Sequence, residues 1–161
     1  MNKQYLFNLL KKFSLVLILV TIIAEIGIRV FILSPSNHIY DPDIGFRYQP
    51  YSELFLGTEG FVRNQVNSLG LNDDEYNPNR KNKKMIVLGD SYTEAKQVDR
   101  KDNFTSLAES ELRNWDVINA GRDGLHIINT YDVAKKLSFI VHPDLLVLVV
   151  SNGDYINDLS H

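Results

Sequence analysis

"MIVLGDSYTEAK", residues 85–96, is the stretch on which the fold turns. Met85 to Leu88 form a short run that is apolar at every position, the pattern of a strand buried on both faces of a parallel sheet. The run ends in Gly89, Asp90 and Ser91. A glycine, a carboxylate and a hydroxyl in that order suit a tight turn into a helix, with Asp90 or Ser91 as its cap. The same turn would hold the Ser91 hydroxyl outward, where backbone N–H groups at a helix entry can stabilise an oxyanion. A capped turn and a presented nucleophile are therefore compatible readings of one trio.

Working outward, the pattern after Lys84 alternates. Phe104 to Leu112 suits a helix, "DVINA" (116–120) a second strand, and "DLLVLVV" (144–150), primed by Pro143, a third. Between the last two, Ile127, Ile128, Tyr131, Ala134 and Leu137 recur at helical spacing. Strands alternating with helices predict parallel βαβ crossovers and an α/β three-layer sandwich. Ligands of such sheets collect at the carboxyl ends of the strands. Here those ends read "GDSYTE", "AGRDGLH" and "SNGDYIND", each joining glycine to hydroxyl, amide or carboxylate groups.

The N-terminal part has another character. "FSLVLILVTIIAEIGIRVFIL", residues 13–33, contains only two charges in 21 residues. As a helix it spans about 32 Å, close to the hydrocarbon thickness of a bilayer. Lys3, Lys11 and Lys12 precede it and predict a cytoplasmic N-terminus, residues 1–12, with the remainder outside the cytoplasm. No small-x-small cleavage pattern follows, so the expectation is an uncleaved anchor. Glu25 and Arg29 are spaced to pair on one helical face, as a contact within the membrane or as charges snorkelling to the interface. Residues 34–84 read as an extracytoplasmic connector with one or two short strands and turns at Gly57, Gly60 and Gly70.

Composition narrows the classes. The 161 residues carry a net charge of −3, so no basic field points to nucleic acid. The chain has no cysteine, which excludes disulfides, thiolate catalysis and cysteine-ligated metals. "GRDG" lacks the Lys-Ser/Thr ending of a phosphate-binding loop, which disfavours a nucleotide-binding domain.

"VLGDSYTEA", "VINAGRDG" and "PDLLVLVVSNGDYIND" together resemble the first three conserved blocks of the SGNH, or GDSL, hydrolase superfamily. The anchor with its Glu and Arg, "DPDIGFRYQP" and "NSLGLNDDE" resemble the leader of its membrane-anchored bacterial branch. The resemblance implies a parallel, flavodoxin-like sheet, with residues 85–161 as the N-terminal part of the hydrolase domain. It implies Ser91 as nucleophile, with the N–H groups of Ser91 and Gly124 and the amide of Asn152 as oxyanion donors. Asn157 is the second choice for that amide, because the third block departs from Gly-x-Asn-Asp, and Asp154 is read as structural.

The family's base comes from an Asp-x-x-His block after the final strand, and no such block follows a final strand here. "DGLH" (Asp123 to His126) and "DLSH" (Asp158 to His161) match it literally. His126 is the better placed of these two and His161 the lesser. His142 falls at the wrong edge of the sheet, and His38 reads as a surface residue. Glu94 reads as a helix-dipole partner and Arg122 as a solvated loop residue, with contact to an anionic substrate as its alternative. The implied activity is that of a serine esterase or O-acyltransferase acting on ester-linked acyl groups, such as those of cell-envelope carbohydrate, without metal or cofactor. The alternative expectation is an inactive, membrane-tethered module that keeps the front half of the fold, with a partner chain completing its sheet.

Overall fold

The computed structural model describes residues 3–31, 37–57, 60–125 and 127–150, with residues 127 and 128 described by their backbone alone. The chain divides into two units, Met1–Pro35 and Ser36–His161. In the first, Lys3–Phe31 is one helix, α1, of 29 residues with no buried side chain. It is long and apolar enough to cross a membrane, a property shared by membrane spans and signal sequences. The expected pair forms within it: Arg29 Nε donates to Glu25 Oε1 at 2.7 Å. Each charge is thereby answered inside the helix, which lowers the cost of taking either out of water.

The second unit contains, in chain order, β1 (His38–Asp41), β2 (Gly45–Tyr48), β3 (Glu53–Leu56), β4 (Val62–Gln65), β5 (Lys83–Gly89), α2 (Ser91–Glu94), α3 (Phe104–Glu111), β6 (Trp115–Gly121), α4 (Ile127–Val141) and β7 (Leu145–Leu148). β5, β6 and β7 form a parallel sheet in the order β6-β5-β7. The strand that carries "MIVLG" is therefore the central one. Ile86 and Leu88 of β5 and Ile118 and Ala120 of β6 share a buried cluster with Val133, Leu137 and Val141 of α4. Residues of the other parity meet α2 instead, as the close approach of Gly89 and Gly121 to Thr93 records. The α4 stripe differs in one member from the expected one, because Tyr131 is 69% exposed. Two residues before Val133, it points away from the buried side.

Residues 37–57 and 60–76 are packed onto this unit rather than trailing from it. β1 and β2 pair antiparallel from His38↔Tyr48 to Asp41↔Gly45, and β3 and β4 from Glu53↔Gln65 to Leu56↔Val62. Two hairpins thus occupy a stretch whose sequence suggested one or two strands. Ile44, Leu69, Leu71 and Tyr76 pack against the α4 cluster, and Tyr48, Leu54 and Val66 form a small core of their own.

The two edges of the parallel sheet are treated differently. On β6 the outward N–H groups are all capped: Trp115 by the Leu112 carbonyl at 2.9 Å, Val117 by Glu109 Oε2 at 3.3 Å, Asn119 by Asp73 Oδ2 at 3.0 Å and Gly121 by Asn119 Oδ1 at 2.9 Å. Side-chain acceptors placed this way stop another strand from pairing there. On β7, Leu145, Leu146 and Leu148 are between 42% and 48% exposed, so this strand lacks the two-sided cover usual in parallel sheets.

Burial pushes the Asp73 carboxyl up to about 7, against the N–H groups of Asn119 and Asp74 that favour its charged form. The folded state thus keeps a proton that an unfolded aspartate releases near pH 4. This group makes stability fall as pH rises from about 4 to about 7 and stay level above. Asp73→Asn keeps an acceptor for the Asn119 N–H without the charge. Melting curves should show the variant gaining on the parent chain from pH 4 to pH 7; a difference constant across that range would contradict the assignment.

Candidate active site

Ser91 opens α2 directly after the central strand. Its turn is organised by Asp90, whose side chain accepts from the Tyr92 N–H at 3.0 Å. The Asp90 carbonyl accepts from the N–H groups of Thr93 at 3.1 Å and Glu94 at 3.0 Å. These bonds leave the Ser91 N–H outside the turn's internal network. Asp90, rather than Ser91, is the cap, so the serine side chain is not spent on closing the turn. α2 is only one turn long and stops at Ala95, whose φ of 50° is left-handed. So short a helix builds little macrodipole, and what it offers an oxyanion is individual N–H groups.

The position follows from topology. From β5 the chain crosses outward to β6, then returns past β5 to β7. The direction of winding reverses at β5, and at such a switch point the loops at the carboxyl ends part and leave a crevice. Ser91 stands at that reversal.

Two bonds fasten the loop after β6 to the serine turn. The Arg122 N–H donates to the Gly89 carbonyl at 3.0 Å, and the Asp123 N–H donates to Glu94 Oε2 at 2.8 Å. Gly124, the expected oxyanion donor, follows in a turn closed by the Leu125 N–H on the Arg122 carbonyl at 3.2 Å. Its φ of 70° favours glycine there, although a Cβ would meet nothing within 4 Å. The structure therefore joins the Ser91 and Gly124 loops at one edge. Asn152, Asn157, Asp154, His126, Asp158 and His161 lie outside the described residues.

Glu94 lies in the first turn of α2, as expected of a dipole partner. It is completely buried. Lys96 Nζ stands 3.7 Å from Glu94 Oε2 and 2.9 Å from Asp123 Oδ2, bridging the same two loops. Burial raises the Glu94 carboxyl above its ordinary range, opposed by Tyr48, Lys96 and the Asp123 N–H. Glu94 Oε1 and the Tyr48 hydroxyl are buried electrostatic neighbours, each without a hydrogen bond of normal geometry. Arg122 is no solvated loop residue. Its half-buried guanidinium donates to the carbonyls of Phe46 and, at 3.1 Å, Ile44, tying the β1–β2 hairpin to the end of β6.

Beneath the serine, buried amides hold the α2 backbone. Asn119 Nδ2 donates to the Thr93 carbonyl at 2.8 Å, and Asn72 Nδ2 donates to the Glu94 carbonyl at 2.9 Å. Asn103 Nδ2 lies near both, at 3.5 and 3.4 Å. Of the two histidines among the described residues, His142 follows α4 at the opposite edge of the sheet. His38 is exposed, but its ring packs 4.6 Å from that of Tyr48. Lys96, Arg122 and Asp123 are its charged neighbours. Partial desolvation, then Lys96 and Arg122, hold its imidazole below the usual value, so the neutral, proton-accepting form is favoured. His38 is thus a surface residue, as its sequence reading has it.

No protein-family model, curated protein or solved structure matches the chain.

At Gly121 it is the backbone of α2 that comes against the sheet: a Cβ there would lie 2.6 Å from the Thr93 carbonyl carbon and 2.7 Å from Thr93 Cβ. Gly121→Ala must displace backbone, so it should cost about 1–3 kcal/mol in chemical denaturation. An unchanged denaturation midpoint would show that α2 does not press on β6 this way.

Proposed function

We propose that the chain is a serine esterase or O-acyltransferase of the SGNH type, anchored by α1 as a single-pass span with its N-terminus in the cytoplasm and its second unit outside. The observation that carries this reading is the serine turn at the winding reversal, bonded through Arg122 and Glu94 to the loop of Gly124. The sheet order, with α4 on one parity of strand residues and α2 on the other, supports a flavodoxin-like three-layer sandwich.

In the reaction, Ser91 Oγ attacks the ester carbonyl while its proton passes to an imidazole, for which His126 is the candidate. The carbonyl oxygen becomes an oxyanion that the N–H groups of Ser91 and Gly124 and the amide of Asn152 are suited to receive. Collapse expels the alcohol, which takes up the proton, and leaves acyl-Ser91. Water then releases a carboxylic acid, or a sugar hydroxyl takes the acyl group, and Ser91 regains its proton.

A second reading rests on the exposed leucines of β7. In it the unit is an inactive tethered module whose sheet is completed by a partner chain. One experiment separates the two. The full chain in detergent, treated with a fluorophosphonate probe, should be labelled, and Ser91→Ala should abolish labelling while Ser110→Ala, at a remote exposed site, leaves it intact. A cooperatively melting chain that takes no label at Ser91 would contradict the enzyme reading and favour the module.

A further inference from the structure

A cavity of about 210 Å³ opens between the β1–β2 hairpin, the loop of residues 68–71, the end of β6 and α4. Ser91 does not line it. Its floor is carbon from Ile44, Leu69, Leu71, Val133 and Leu137, with Ile140 also on its wall. The charges on that wall are unequal: Arg47, Arg122 and Lys136 against the single carboxylate of Asp41. Asp41 is already shared, with Lys136 Nζ at 2.6 Å and Arg47 Nε at 3.1 Å. Asp43 reaches Lys136 at 3.0 Å from outside the cavity.

Arg122 is the exception among these cations. Its described hydrogen bonds go to neutral carbonyls, and no carboxylate among the described residues lies within ion-pair distance of it. A guanidinium half withdrawn from water toward carbonyl dipoles keeps unspent capacity for an anion, and its planar fork suits a carboxylate. The cavity is smaller than the roughly 300–1,000 Å³ typical of drug-sized sites. An apolar floor under surplus positive charge selects against phosphate, which would lose its hydration to carbon, and against neutral hydrocarbons, which leave the cations unanswered.

We propose that this cavity binds a small carboxylate with a short apolar tail, its head on Arg122 and its tail between the 68–71 loop and α4. The site is independent of whether Ser91 reacts.

Isothermal titration of the full chain in detergent, with sodium hexanoate as probe, tests it. Hexanoate should bind, while sodium acetate and hexan-1-ol bind at least about tenfold more weakly, the loss expected when either the tail or the charge-assisted bond is removed. Arg122→Gln, which retains donors for the Ile44 and Phe46 carbonyls, should weaken hexanoate by a similar factor, and Arg122→Lys should weaken it less. Ile140→Trp changes a residue that is 43% exposed and should fold while blocking the cavity. Absence of hexanoate binding, equal binding of acetate, or binding unchanged in both Arg122→Gln and Ile140→Trp would overturn the proposal.

Discussion

Two missing side chains set the geometry of this protein. Gly89 and Gly121, at the ends of adjacent parallel strands, let the single turn of α2 settle directly on the sheet. A Cβ at Gly89 would lie 2.8 Å from Thr93 Cβ, and one at Gly121 would meet Thr93 as closely. Everything else at this edge follows from that close approach. Thr93 and Glu94 become fully buried, and their carbonyls need donors, which Asn119 and Asn72 supply. The buried Glu94 carboxylate is then in place to take the Asp123 N–H, and through it the loop after β6 is held to the serine turn. Buried backbone carbonyls and a carboxylate oxygen answered in this way specify one arrangement more sharply than apolar packing can.

The same logic governs the sheet edges. β6 is a finished edge, each outward N–H answered by a carbonyl, carboxylate or amide oxygen supplied locally. One of those acceptors, Asp73, belongs to the segment that also brings Asn72 under α2. The residues before the sheet therefore close its edge and brace its serine turn together. β7, by contrast, carries exposed leucines.

Much of this was legible in the sequence, and the part that was not has a common cause. The continuous apolar runs of β5, β6 and β7 and the helical spacing through α4 announce themselves because burial on two faces or one stripe leaves a period. The serine turn was readable because Gly-Asp-Ser after such a run has few other uses. Asn72, Asn103, Asn119, Thr93 and Glu94 are buried without belonging to any hydrophobic period, so a pattern search passes over them. Their burial follows from how near α2 lies to the sheet, a tertiary fact. The β1–β2 hairpin was hidden for a related reason: "HIYD" and "GFRY" alternate poorly, and only Asp41 and Tyr48 are buried in it.

The Ser91 turn and the Gly124 loop thus form one preorganised unit, joined by Glu94. Native-state hydrogen exchange at the Asp123 amide tests it most directly, because that N–H lies in a surface loop and has the Glu94 carboxylate as its acceptor. Asp123 should exchange as slowly as the β5 and β6 amides in the parent chain, and at loop rates in Glu94→Ala while the strand amides stay protected. Rapid exchange of Asp123 in the parent chain would show instead that the two loops are separate.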